Sequence, residues 1–342
     1  MKLVRTEESI GQVICHDMTQ IIVGVTKDAR FRKGHIIREE DIPILLSMGK
    51  EHIYVWEMGE DMVHEDDAVE HLVAACENEF MNRSAVKEGK VELSAMQAGV
   101  LEIDVERLLQ INSLGDVMIA TRSNHSVVQP GDKIAGMRII PLAIYRGRLG
   151  EVGKIASASN PLLCIHPFSI KDCTILVTGN EVLKGLIKDT FSSVIEQKMA
   201  AFGVRTNEII LTGDDPQDIT RQILRAKQEG ASLIVCTGGM SVDPDDHTPG
   251  AIKASHAQVV SYGSPVLPGA MFMLSYLQDT PVLGLPGCVM YAKRTVLDLL
   301  LPRILCGVRL QASDVAKLGA GGLCLQCQIC HFPNCSFGNG SL

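Results

Sequence analysis

Four cysteines crowd into the last nineteen residues of the chain, where Cys324, Cys327, Cys330 and Cys335 are spaced C-x2-C-x2-C-x4-C. Thiolates are soft ligands, and four of them within one short loop can surround a metal centre without help from elsewhere. The spacing lies near the C-x2-C-x2-C-x3-C-P run of iron–sulfur ferredoxins. A zinc ion held by four thiolates competes, although zinc pairs usually have a longer intervening segment. A redox-active tail without metal is the remaining alternative. His331 reads as a bystander, and the other seven cysteines are scattered along the chain.

A second group of reactive residues lies in glycine-containing loops. The stretch 236–250 reads CTGGMSVDPDDHTPG. Paired glycines after a buried strand let backbone amides approach a ligand closely, because no side chain stands in the way. Asp243, Asp245 and Asp246 follow, and Thr248-Pro249 suits a helix start whose exposed N terminus could hold an anion. A solvated turn with capping side chains is the plain alternative. Thr178-Gly179, Thr212-Gly213-Asp214-Asp215 and Gly284-Leu285-Pro286-Gly287 occupy comparable places after apolar runs. Asp215 before Pro216 is a natural N-cap, as are Asp189 and Thr190 before Phe191. Glu181 has a plain reading as an exposed loop acid, and Cys288 reads as a small core residue.

The elements that would carry these loops are legible from periodicity. Residues 174–177 predict a strand, and apolar residues at Phe191, Val194, Ile195, Met199 and Phe202 predict a helix after it. A strand over 204–211, a helix over 216–228 and a buried strand over 232–236 follow. A short helix after Pro249, strands near 259–261, 271–277 and 281–285, and a helix over 289–304 complete the segment. Strands alternating with helices predict a mostly parallel sheet with helices on both faces, and such sheets bind ligands at the carboxyl ends of their strands. The first 160 residues are less regular: helices near 39–48, 68–80 and 105–111, a strand at 52–55 and a hairpin over 127–140 predict an α+β domain. The stretch 157–161 suits a linker. The expected organisation is therefore an α+β domain over 1–165, an α/β domain over 171–309, and a cysteine tail over 310–342.

Taken jointly, TGNEV (178–182), GLIKDT (185–190), TGDDP (212–216), GGMSVDPDDHTP (238–249) and GLPG (284–287) occur in an order and spacing that resembles the molybdopterin-binding domain of molybdopterin adenylyltransferases and molybdopterin molybdenumtransferases. The resemblance covers residues 171–309. It implies a three-layer α/β domain with a site at the strand ends for molybdopterin, or its adenylylated form, and for Mg²⁺. Asp214 matches the family's PDDP-like turn, Asp246 its DxTP-like loop and Glu181 the acid of its TGDE motif. These three are the implied catalytic acids, with Asp214 and Asp246 as Mg²⁺ ligands. Thr178, Gly179, Gly238, Gly239, Ser241, Thr248, Pro286 and Gly287 are the implied pterin-binding residues. Separated aspartates on neighbouring loops also suit Mg²⁺ physically, since it takes one or two carboxylates plus substrate phosphates.

An N-terminal region before this domain resembles the molybdenumtransferase more than the adenylyltransferase. However, the family's SAMDGYA-like stretch has no counterpart, the chain reading CHDMTQIIVG at 15–24 and FRKGHIIREEDIPILL at 31–46. The 33 residues after Arg309 carry the cysteines where the family has a small β-barrel. The expected activity is insertion of molybdate into adenylylated molybdopterin with AMP release. Adenylyl transfer from ATP, and non-catalytic carriage or sensing of the pterin, are the alternatives. Pterin, nucleotide and molybdate are the expected small-molecule partners, a homodimer the expected assembly, and a molybdoenzyme or another member of the cofactor pathway a possible protein partner.

Composition narrows the field independently. A formal net charge of -8 argues against general binding to nucleic acid or anionic membranes, which needs clustered Lys and Arg. With 4% aromatic residues and one tryptophan, stacking platforms for single-stranded nucleic acid are not expected. No apolar run approaches the ~18 residues needed to span a bilayer, and charged residues stand where a signal peptide would be apolar. The expected location is the cytoplasm.

Overall fold

The computed structural model describes residues 2–22, 26–56, 61–157, 160–241, 243–244 and 246–340. Asp245, part of the acidic loop, and two residues of the expected linker, Ala158 and Ser159, lie outside the described residues. The chain forms two compact units, one comprising Met1–Gln97 and Leu101–Ile165, the other Ala98–Val100 and His166–Leu342.

The second unit is built on six strands: β1 (Asp172–Thr178), β2 (Arg205–Thr212), β3 (Ile234–Thr237), β4 (Gln258–Tyr262), β5 (Met273–Leu277) and β6 (Thr280–Leu285). They form one sheet in the order β2-β1-β3-β6-β5-β4. The first four run parallel, and β5 and β4 continue the sheet antiparallel. The connecting helices are α1 (Asn180–Leu183), α2 (Phe191–Ala200), α3 (Pro216–Gln228) and α4 (Thr248–Ala254), followed by α5 (Val296–Leu305) and α6 (Ala312–Lys317). The chain leaves β1 towards β2 through α2, then crosses back to β3 through α3. Right-handed crossovers in opposite directions put those two helices on opposite faces of the sheet. Leu176, Ile210, Ile234 and Cys236 accordingly pack with Ile219, Ile223, Ala251 and Ile252 of α3 and α4. Ile175, Val177 and Val235 alternate to the other face and are buried there. This is the expected three-layer, mostly parallel α/β arrangement.

Asp215 caps α3 by accepting from the Gln217 amide at 2.8 Å. Asp189 accepts from the amides of Phe191 and Ser192 at 2.8 and 3.2 Å. Thr190 makes no such cap; its hydroxyl donates instead to Met290 Sδ at 3.3 Å. The helix expected over 289–304 is divided. A 3-10 turn, Gly287–Met290, comes first, and α5 starts only at Val296, where Thr295 and Asp298 form a reciprocal cap.

The first unit is α+β. Met81–Arg83, Lys90–Ala95, Lys133–Ile139 and Val117–Thr121 form an antiparallel sheet in that order. The helix Glu65–Cys76 packs on it, and Leu72 is buried in one core cluster with Leu93, Ile119 and Met137. That helix starts earlier than its apolar pattern predicts, because the His64 side chain caps it by accepting from the Asp66 amide at 3.2 Å. The hairpin expected over 127–140 is absent: Val127–Val128 and Lys133–Ile139 enter different sheets. A smaller cluster, including Val4, Ile14, Leu45 and Ile53, surrounds the antiparallel pair Lys2–Arg5 and His52–Val55. Near it a 3-10 turn, Glu39–Asp41, leads into the helix Ile42–Ser47, where one longer helix is expected.

Candidate functional site

Strand register brings the expected loops together. Thr178 stands opposite Thr212, Val177 opposite Thr237, and Thr237 opposite Leu285. The loops after β1, β2, β3 and β6 therefore emerge side by side at the carboxyl edge of the sheet. The chain turns in opposite directions from β1 there, which opens the crevice that doubly wound sheets use for ligands.

Hydrogen bonds join these loops. The Gly179 amide donates to the Thr212 carbonyl at 3.1 Å, and the Asn180 amide donates to Asp214 Oδ2 at 2.9 Å. On the other side, the Thr178 hydroxyl lies 3.1 Å from the Thr237 carbonyl oxygen and 3.1 Å from the Thr248 hydroxyl. Thr248 donates through its hydroxyl to the Gly238 carbonyl at 2.8 Å, and its amide donates to the Gly239 carbonyl at 3.2 Å. Thr178 is thus the junction of the β1 and β3 loops. At Gly238 the backbone has φ +87° and a side chain would run into the Thr178 carbonyl, so this close approach requires glycine. The Thr237 hydroxyl is buried and has no partner among the described residues.

The acidic residues take different positions. Asp214 is half-buried and fastened to the β1 loop, whereas Glu181 is exposed on α1. Asp246 is half-buried and accepts from the Asp243 amide at 3.4 Å. It does not cap α4. The expectation of an exposed helix N terminus there is corrected: Thr248 and Pro249 are buried, and the helix is only seven residues long. Ser241 and Gly287 are exposed, while Pro286 is buried. Contact between Thr190 and Met290 brings the 185–190 segment against the turn that follows Gly287.

Two contributors have no obvious sequence signal. Asn180 supplies its amide to Asp214, a role that any non-proline residue could fill. Tyr262, on β4, has its hydroxyl 3.2 Å from the Met240 carbonyl oxygen and 3.4 Å from that of Ser241. Burial, and then the charge of Asp246, push its phenol above the ordinary tyrosine range. The contacts with Met240 and Ser241 place Tyr262 beside the loop that carries Asp246, although the two are distant in sequence.

The tail cysteines also gather. Cys324, Cys327, Cys330 and Cys335 line one cleft together with Lys293, Arg294, Phe332 and Phe337. Among the described residues, however, no three His, Cys, Asp or Glu side chains stand so as to share one metal ion. A backbone hydrogen bond from Phe332 and the nearby Arg294 guanidinium lower the Cys330 thiol below its usual range. Burial pushes the Cys288 thiol up, in keeping with a packing role.

Residues 174–305 match a family described as a probable molybdopterin binding domain. The loop motifs that resemble that family all fall inside the match. Residues 3–57 match a family described as a domain of unknown function. A CinA-like protein from Mycobacterium sp. (strain JLS) is 39% identical over 74 residues, covering 22% of this chain and 18% of that protein. A CinA-like protein from Mycobacterium tuberculosis (strain ATCC 25177 / H37Ra) is 36% identical over 74 residues, covering 22% of this chain and 17% of its own length. The chain thus spans less than a fifth of the length of these curated relatives. The solved molybdopterin biosynthesis enzyme MoaB from Thermus thermophilus is 22% identical, with a TM-score of 0.34, covering 40% of this chain and 94% of its own. The matched domain contains all four strand-end loops and all three acids, whereas the cysteine tail lies beyond it. No helix among the described residues is long and apolar enough to cross a membrane.

Proposed function

We propose that the protein acts in molybdenum cofactor biosynthesis as a molybdopterin-binding enzyme of the molybdenumtransferase type. Adenylylated molybdopterin is cleaved with release of AMP, and molybdate, the second substrate, is taken up by the two dithiolene sulfurs. The observation that carries this reading is the junction at the carboxyl edge, where Thr178 ties the β1 loop to Thr237 and Thr248, Thr248 in turn holds the Gly238 carbonyl, and the Asn180 amide ties the β1 loop to Asp214.

In this reading Thr178, Gly179, Ser241, Thr248, Pro286 and Gly287 contact the pterin, and the amides of Gly238 and Gly239 face its phosphate. Fixed N–H dipoles can stabilise an anion without a basic side chain. Asp214 and Asp246 hold Mg²⁺, and Glu181 positions the attacking oxygen. Mg²⁺, when bound, offsets charge on the phosphate oxygens. This reading is supported by the two carboxylates being half-buried on separate loops, since Mg²⁺ takes one or two carboxylates and keeps water and substrate phosphates in its shell. The tail cysteines are a second metal seat, for zinc or an iron–sulfur cluster. A cytoplasmic homodimer that passes its product to a molybdoenzyme or another pathway member completes the proposal.

The test is incubation of purified protein with Mg²⁺, molybdate and adenylylated molybdopterin. Release of AMP together with active cofactor is the expected result, and the absence of both overturns the transferase assignment. Formation of adenylylated pterin from ATP and molybdopterin would instead identify an adenylyltransferase. Pterin binding without turnover, unchanged by Asp246→Ala, would identify a carrier or sensor.

A further inference from the structure

We propose that His64 is an acid-responsive clasp, fastening the N-terminal segment 3–57 onto the helix Glu65–Cys76 near neutral pH and releasing it when Nδ1 takes up a proton. The clasp lies within the first unit and is independent of the pterin chemistry. Two cores adjoin there, one containing Val4, Ile14, Leu45 and Ile53, the other Val63, Leu72 and Leu93. Three contacts from the segment converge on the His64 ring, which is buried. Its Nε2 donates to the Cys15 carbonyl at 2.6 Å, Lys33 Nζ lies 2.9 Å from its Nδ1, and its face stacks on Trp56 at 5.3 Å. On the other side, the Asp66 amide donates to the same Nδ1 at 3.2 Å and so caps the helix.

These partners fix the protonation state. A ring whose Nε2 donates while Nδ1 accepts from two donors is the neutral tautomer. A proton on Nδ1 turns that acceptor into a donor, which removes the helix cap and sets two cations 2.9 Å apart. Asp66 Oδ2 accepts from Lys33 at 2.6 Å and stands 3.5 Å from Nδ1. It is the acceptor that an imidazolium would take, displacing Lys33, whose side chain is already 32% exposed.

The remaining charged groups nearby are engaged elsewhere or lie at the surface. Glu65 pairs with Arg138 at 3.3 Å, and burial raises its carboxyl. Asp17 accepts from the Lys33 amide at 2.7 Å, Glu88 accepts from the Thr19 hydroxyl at 3.0 Å, and Asp67 is exposed. Burial, and then the charge of Lys50, hold His16 below the usual histidine range. On the paired strand Ala143–Tyr145 the titratable residue is Tyr145, which stands opposite Met62. Burial, ahead of the Lys33 charge, holds His64 below the usual histidine range, and the bond to the Cys15 carbonyl only partly offsets them. The sign follows from linkage: a released His64 takes its proton near the ordinary value of about 6.5 and the clasped one lower, so acid favours release.

The test titrates the full chain from about pH 8 to 5 and reads Trp56, the one tryptophan, whose fluorescence a stacked imidazolium quenches. One transition with a midpoint below about 6.5 is expected. Release is read in parallel by labelling of the buried Cys15 with a dithiodipyridine, normalised to the denatured chain. One proton linked to opening gives a rise of about tenfold between about pH 7.5 and 5.5. Buried Cys76 should show no such rise, because the far end of the helix stays on its sheet. His64→Gln, which keeps a neutral donor and acceptor, should abolish both responses with an unchanged circular dichroism spectrum at neutral pH. Lys33→Met should raise the fluorescence midpoint by about 0.5 unit or more and flatten the labelling response, since Asp66 then accommodates the imidazolium in place. His16→Gln should alter neither. A flat parent curve, responses that persist in His64→Gln, or equal labelling of Cys15 and Cys76 would overturn the clasp. So would a midpoint unmoved by Lys33→Met, which decides the matter if His64→Gln does not fold.

Discussion

At Gly238 a single methyl group decides whether the β1 and β3 loops can meet. Gly238→Ala places Cβ against the Thr178 carbonyl at a φ that L residues rarely adopt. The expected cost is about 2 to 3 kcal/mol, read as a lowered denaturation midpoint with an unchanged denaturant slope. Gly287→Ala is a useful contrast, because open space surrounds that position. Its stability should remain within about 0.5 kcal/mol of the parent. Weaker pterin binding by this variant, measured calorimetrically, would place the ligand against the Gly287 backbone; unchanged affinity would exclude Gly287 from the proposed contacts. Asp246 tests the chemistry more directly, since its carboxylate caps no helix. Asp246→Ala should reduce AMP release by about 100-fold or more while the thermal midpoint barely moves, a magnitude typical of losing transition-state charge stabilisation. Equal losses of stability and activity would instead make Asp246 a structural residue.

At the scale of elements, the entry to the helix Ile42–Ser47 depends on one buried acid. Asp41 accepts from His35 Nε2 at 2.7 Å and from the Arg38 amide at 2.9 Å. Burial by itself would raise its pKa, but these donors outweigh it and hold the carboxyl below the usual aspartate range. A depressed folded-state pKa contributes stability above the unfolded value of about 3.9 and loses it as pH falls through the folded value. Asp41→Ala should therefore cost about 1 to 2 kcal/mol at neutral pH. The difference from the parent should narrow below about pH 4, as measured by denaturant unfolding across pH. A gap independent of pH would assign the effect to packing. The predicted helix over 39–48 did not anticipate this turn, because pairing of His35 with Asp41 is invisible to apolar periodicity. The parallel sheet was more legible, since Pro216 and Asp215 mark the start of α3 and continuous apolar runs mark strands covered on both faces. The expected helix from 289 ignored Thr295, whose cap sets the true start, and the basic pair before it, which faces the cysteine cleft. Likewise, aspartates at loop positions were readable by type and spacing. Tyr262 was not, because only the fold of the sheet edge brings β4 to the acidic loop.

The charge of the whole molecule sets a constraint that no single loop removes. The chain carries a formal net charge of -8, while the proposed pterin and nucleotide substrates are anionic. Local amide dipoles and Mg²⁺ act at contact distance, but the net field opposes approach from further away. Monovalent salt shortens that field to about 8 Å at physiological ionic strength. With Mg²⁺ held saturating, association of adenylylated molybdopterin should therefore accelerate by roughly two- to fivefold from low to physiological ionic strength, with little change in dissociation. Stopped-flow binding can separate the two rates. A protein that captured the phosphate through a basic patch would give the opposite slope, since added salt would weaken attraction. Faster association at low salt would consequently require a locally positive approach to the site, and the assignment of phosphate recognition to the amides of Gly238 and Gly239 would have to give way to Lys or Arg side chains.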